Sequence, residues 1–139
     1  MKKAFIDANI ILDFLDAQRN RHRCAYKVFE KLIDEDYLFV VTEDILTTVY
    51  YVIKNKSAVL KFFEQVLSEW ELVSFGTELL RRSVTICLKE QSLDFEDVCQ
   101  ALAADKVECD IIISNDKDFY RIDTIKVYST EVFLNTENI

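Results

Sequence analysis

The run Ile111-Ile112-Ile113, followed at once by Ser114-Asn115-Asp116-Lys117-Asp118, constrains this chain more than any other feature. Three consecutive β-branched apolar residues leave no polar face, so the strand they predict must be buried on both sides. Strands of that kind belong to parallel sheets covered by helices. A second run, Ala4-Phe5-Ile6, ends in the same way on an acid, Asp7. Around these runs apolar residues fall at the helical period, and the alternation of the two patterns predicts an α/β protein with a mainly parallel sheet.

In chain order, Asn9 and the spacing Ile10, Ile11, Phe14, Leu15 predict a short helix after the first strand. Residues 22–35 predict a second, with Val28, Phe29, Leu32 and Ile33 inward. Residues 38–41 read as a strand, after which Thr42 is placed to cap a helix running to about residue 54. Residues 57 to about 70 form another amphipathic pattern, with Val59, Leu60, Phe63, Val66 and Leu67 inward. Residues 72–75 are the next strand. After Gly76, residues 77–90 predict a helix, and Asp94 caps a further one through Cys99, Leu102 and Ala103. Residues 126–128 are a last short strand, and Thr130 begins a closing helical turn.

The 139 residues suit one domain, expected to span residues 1–139. Half of them are hydrophobic and 30% charged, as in an ordinary globular protein. Proline is absent, Gly76 is the single glycine, and no repeat or charge block marks a boundary. The basic start at Lys2 and Lys3 precedes an apolar run broken by Asp7 and Asp13, so no secretory leader is expected. No stretch approaches the roughly 20 apolar residues of a membrane span, and a cytoplasmic location is expected. Cys24, Cys87, Cys99 and Cys109 show no C-x-x-C spacing, and with His22 as the single histidine they read as reduced thiols rather than zinc ligands. His22 falls within Arg19-Asn20-Arg21-His22-Arg23, which reads as a solvated basic loop. The net charge of −8 argues against nucleic-acid binding through a broadly positive surface. It leaves room for a nuclease, because a site that holds divalent cations gathers carboxylates and the ion inverts the local charge.

The positions of the acids carry the functional argument. Asp7 and Asp116 both follow predicted strands, and ligands of open parallel sheets bind outside the carboxyl ends of strands, where strand order reverses. Asp94, Glu96 and Asp97 open the helix before the Ile111–Ile113 run, so a crossover brings them to the same edge. Oxygen ligands with open positions for water and phosphate suit Mg²⁺ or Mn²⁺ rather than zinc. Each acid also has a structural reading. Asp7 and Asp94 can cap helices, Glu96 can complement a helix dipole, and Asp118-Phe119 can be a turn with an aromatic anchor. Asp97, one residue deeper and followed by the apolar positions Val98, Ala101 and Leu102, is the better catalytic candidate.

Three segments together resemble the PIN-domain nucleases and, among them, the VapC-like toxins of bacterial toxin-antitoxin pairs. They are Phe5-Ile6-Asp7-Ala8-Asn9-Ile10-Ile11-Leu12-Asp13, Asp94-Phe95-Glu96-Asp97-Val98-Cys99-Gln100-Ala101 and Ile113-Ser114-Asn115-Asp116-Lys117-Asp118-Phe119. The resemblance implies a three-layer α/β/α sandwich around a five-stranded parallel sheet of order 3-2-1-4-5. It also implies RNA cleavage dependent on Mg²⁺ or Mn²⁺, a cognate antitoxin and a homodimer. On that reading Asp7, Asp97 and Asp116 are the catalytic, metal-binding acids, Asn9 and Ser114 support them by hydrogen bonds, and Glu96 and Asp118 are further candidate ligands.

One position departs from the family. The Glu usual in the helix after the second strand aligns with Thr48, and Asp44, one turn earlier on the same face, or Glu43 at the helix start are the candidate substitutes. That vacancy keeps a second reading open, a PIN-like scaffold that binds RNA or a protein without cleaving. A phosphatase with an Asp nucleophile is disfavoured because Asn9 stands where its second Asp belongs, and a phosphoacceptor domain because neither residues 38–41 nor 72–75 end in Asp.

Overall fold

The structure, a computed structural model, describes residues 1–137. Its strands are β1 (Lys3–Ile6), β2 (Leu38–Thr42), β3 (Glu71–Val73), β4 (Ile111–Ile113) and β5 (Lys126–Tyr128). Its helices are α1 (Ala8–Leu15), α2 (His22–Asp34), α3 (Glu43–Val52), α4 (Lys56–Glu69), α5 (Gly76–Lys89), α6 (Phe95–Lys106) and α7 (Thr130–Leu134). The strands pair in parallel throughout, in the order β3-β2-β1-β4-β5.

That order fixes the layers. From β1 to β3 the chain steps one way across the sheet through α1 to α4, and from β3 to β4 it jumps back through α5 and α6. Right-handed crossovers therefore put the two sets of helices on opposite faces. In agreement, α1 lies against α2 and α3, α3 against α4, and α2 against α7, while α5 packs on α6. The sheet between them is dry: Ile111, Ile112 and Ile113 are at most 2% exposed, beside the fully buried Ala4, Phe5 and Ile6. Burying each such isoleucine contributes about 1.5–3 kcal/mol.

With only Gly76 available, two helix ends are turned without glycine. Asp36 after α2 and Glu108 after α6 adopt left-handed φ of 61° and 60°. Each closes the same double bond pattern: Asp36 and Tyr37 N–H donate to the Ile33 and Leu32 carbonyls, and Glu108 and Cys109 N–H to those of Asp105 and Ala104. The chain is thereby reversed into β2 and β4.

Several local expectations need correction. Ile33, Leu60 and Leu67 are 64%, 51% and 60% exposed, because the apolar arc of each helix is wider than the surface that covers it; α4, behind the three-residue β3, buries Val59 and Val66. Thr42 stands at the start of α3, but its side chain is wholly buried and its hydroxyl caps nothing. The cap of α4 is Asn55, which accepts from the Ala58 N–H, so that helix begins before Ser57. His22 is no loop residue: it opens α2, with Nδ1 2.9 Å from the Asp13 carbonyl. The four cysteines are all free thiols.

Candidate active site

Strand order reverses between β1 and β4, and their carboxyl ends are level: Ile6 pairs with Ile113, and the Asp7 N–H donates to the Ile113 carbonyl at 3.1 Å. Asp7 and Ser114 therefore leave the sheet side by side. Asp7 is only 8% exposed, and both its oxygens are used. Oδ1 accepts from the Ala8 N–H at 2.7 Å, capping α1, and Oδ2 accepts from the Ser114 hydroxyl at 2.6 Å. Ser114 Oγ in turn accepts from the Asp116 N–H, and Asp116 Oδ1 from the Asp118 N–H. A relay of short polar contacts thus fixes Asp7 and folds the Asp116 segment over it.

Opposite, the Asp94 cap at the start of α6 accepts from the Asp97 N–H at 3.1 Å, holding the first turn that carries Glu96 and Asp97. These three chain segments, with Asp44 from the start of α3, bring their carboxyls within electrostatic reach of one another. Burial raises the Asp7 carboxyl above its ordinary range against the Ser114 and Ala8 hydrogen bonds, and Asp116 and Asp44 push in the same direction as burial. Asp97 is pushed up to about 7, first by burial and then by the charges of Asp94, Asp116 and Asp7. Glu96 also reaches about 7, chiefly through the neighbouring Asp44 carboxyl, with burial and the charges of Asp94 and Asp7 acting in the same direction. Like charges that cannot all ionise in so small a space retain protons instead.

Asp44 reaches this cluster from the first turn of α3, and a residue given no role from sequence holds it there. Gln100, 3% exposed, donates from Nε2 to Asp44 Oδ2 at 2.8 Å. Asp44 Oδ1 and Gln100 Oε1 are both buried without a hydrogen-bond partner. The sequence signal for Gln100 was its place as the one polar side chain in the run Val98–Ala104. Thr48, one turn further along α3, is exposed, and Glu43 turns to the Ser74 hydroxyl at 2.9 Å. Asp118 is exposed at the outer end of the relay, and Asn9 lines the cleft beside Asp116 without a hydrogen bond to an acid among the described residues.

These residues suit a hard divalent cation. The donors are oxygens, two side chains keep protons that a cation would displace, and Asp44 Oδ1 is a buried acceptor awaiting a partner. Among the described residues no group of three or more His, Cys, Asp or Glu side chains stands close enough together to hold a metal ion by itself, so a cation here would take fewer side chains directly and complete its shell with water. An open arrangement fits Mg²⁺, which keeps several waters and takes one or two carboxylates directly.

The PIN domain family model matches residues 4–125, from β1 to the approach to β5. The chain belongs to the PIN domain family. This PIN domain is 31% identical over 140 residues to Ribonuclease VapC1 of Aquifex aeolicus (strain VF5), covering 99% of this chain and 96% of that protein. Among solved structures its fold is similar to Mycobacterium tuberculosis VapC20, described as a sarcin-ricin loop cleaving toxin, with a TM-score of 0.68, 14% identity, and 84% of this chain and 92% of that one covered. It is similar also to VapBC2 of Rickettsia felis, solved on a DNA fragment from its promoter, with a TM-score of 0.66, 16% identity, and 91% and 98% covered. A toxin-antitoxin complex from Klebsiella pneumoniae gives 0.67 at 20% identity, with 88% and 94% covered. Among the described residues, no helix of this PIN domain is long and apolar enough to cross a membrane.

Proposed function

We propose that this PIN domain is an endoribonuclease that hydrolyses RNA phosphodiester bonds with Mg²⁺ or Mn²⁺, and that it is the toxin of a toxin-antitoxin pair. The observation that carries the chemistry is the convergence of Asp7, Asp44, Asp97 and Asp116 from four chain segments at the sheet's switch point. The relatives support the substrate and the biological setting: one is named a ribonuclease, and others are toxins or toxin-antitoxin complexes.

Asp7, Asp97 and Asp116 would hold the cation, with Asp44 taking the place left by Thr48 and Glu96 available beside it. A bound divalent ion supplies an activated water and neutralises charge on the phosphodiester. The chain's own contribution is positioning. Ser114 holds Asp7 Oδ2, Gln100 holds Asp44 Oδ2, and Asp94 holds the turn bearing Asp97. Such partners orient ligands, and losing one commonly costs about 10–100-fold in metal affinity or activity.

The test is cleavage of a labelled RNA by the purified protein with Mn²⁺. Asp7→Asn keeps the shape and loses the charge, so cleavage falls more than about a hundredfold while the circular dichroism spectrum is unchanged. Equal cleavage by variant and wild type refutes the mechanism. A non-catalytic scaffold is the second reading, favoured by Thr48, and wild-type protein that binds RNA without cutting it would leave that reading standing.

A further inference from the structure

The basic stretch Arg19-Asn20-Arg21-His22-Arg23, which runs from the α1–α2 loop into the first turn of α2, has a structural partner that sequence does not reveal. Between α1 and α2 it forms one wall of a cleft of about 900 Å³, with Arg19 and Arg21 among the lining residues. Asn9, Asn115 and Asp116 line the same cleft, so it reaches the acid cluster at Asp116. Asp13, Gln18 and Asn20 complete a lining that contains no aromatic or aliphatic side chain.

The two arginines are prepared differently. Asp13, 6% exposed, takes the Arg19 Nε at 2.7 Å, which braces the side chain while the terminal nitrogens have no partner among the described residues. The Asp13 carbonyl also meets His22 Nδ1, tying the far end of the loop to α1. Arg21 is exposed, and its side chain has no ion-pair or hydrogen-bond partner among the described residues. In a chain of net charge −8, this is a concentrated positive strip beside a strongly acidic site.

We propose that the Arg19–Arg21 wall is a backbone subsite that binds an RNA phosphate next to the one being cut. The proposal rests on the ribonuclease reading of the same site. A cation at the carboxylates neutralises one phosphodiester only, and the adjoining phosphates are repelled by the acids unless a counter-charge meets them. Guanidinium forks suit that task, since they bond phosphate oxygens in pairs and stay charged at every relevant pH. A polar wall without aromatics fits sugar and phosphate rather than stacked bases, so the subsite positions the strand without reading its sequence.

The experiment measures binding and cleavage separately, with a fluorescent single-stranded RNA ten-mer as the probe. Arg21→Ala weakens RNA binding about fivefold to tenfold and lowers the slope of log affinity against log salt by about 0.7, the value for one phosphate contact on a single strand. In cleavage it raises KM with kcat nearly unchanged, and Arg21→Lys recovers part of the loss. Lys61→Ala, on exposed α4, is the control for net charge and leaves both quantities as in wild type. An unchanged affinity and salt slope in Arg21→Ala overturns the subsite, as does an equal loss in Lys61→Ala. Wild-type protein that binds the RNA through Arg21 but never cuts it overturns the ribonuclease reading and leaves the subsite intact.

Discussion

Asp44 stands in the first turn of α3, where an acid ordinarily only complements the helix dipole, and Gln100 gives it a different part. If Asp44 replaces the acid missing at Thr48, Asp44→Asn lowers Mn²⁺ affinity about tenfold or more in calorimetry, whereas Thr48→Ala leaves it unchanged. The proton balance of the cluster gives a second prediction. Asp97 and Glu96 titrate near 7 when folded, against ordinary values of 3.8 and 4.5. Between about pH 4 and 7 the folded protein therefore holds protons that the unfolded chain has released, and its stability falls as pH rises through that window. Thermal melts of the metal-free protein should give a higher Tm at pH 5.5 than at pH 8, and Mn²⁺ should restore stability at pH 8. A Tm that climbs with pH in the absence of metal contradicts the crowded-carboxylate picture. The placement of Asp7 and Asp116 at one sheet edge was legible in sequence, because Asp7 directly follows β1 and Asp116 lies three residues beyond the end of β4. The part of Gln100 was not, because it depends on α6 crossing behind the sheet to meet α3, a contact between residues 56 positions apart.

At the scale of elements, the two glycine-free turns make a test of how the helices are stopped. Glu108 holds φ of 60° with a side chain that disfavours it, so Glu108→Gly should raise unfolding free energy by about 1 kcal/mol in urea titrations. Asp36→Gly should gain less, since aspartate tolerates that conformation better. Asp94→Ala should cost about 1 kcal/mol through loss of the α6 cap and should reduce cleavage as well, because the same turn carries Asp97. The strands were read well where burial is two-sided: β4 coincides with the isoleucine run, and β1 differs by one residue at its start. Periodicity failed for α4, since the apolar positions Leu60 and Leu67 resemble core positions in sequence yet stay more than half exposed among the described residues. It also overran β3, which stops at Val73 because Ser74 leaves the ladder to bond Glu43.

For the whole molecule, strand character indicated a mainly parallel sheet with a buried β4, whereas the order β3-β2-β1-β4-β5 was implied by the PIN resemblance and is the order found. The electrostatic design follows from the topology. Acids collect at the carboxyl edge, and Arg19 and Arg21 share one cleft with Asp116. A toxin built this way should arrest growth when expressed alone, and Asp7→Asn should relieve the arrest at equal protein level; unaffected growth with active wild-type protein would indicate an RNA-processing role instead. The central claim is that the carboxylates at the switch point form a divalent-cation centre. Its most direct measurement is Mn²⁺ binding followed by electron paramagnetic resonance in wild type and in Asp7→Asn/Asp97→Asn. The account predicts a bound-ion spectrum with release of protons near pH 7 in the wild type and its loss in the double variant. An identical Mn²⁺ affinity in the two proteins would contradict it.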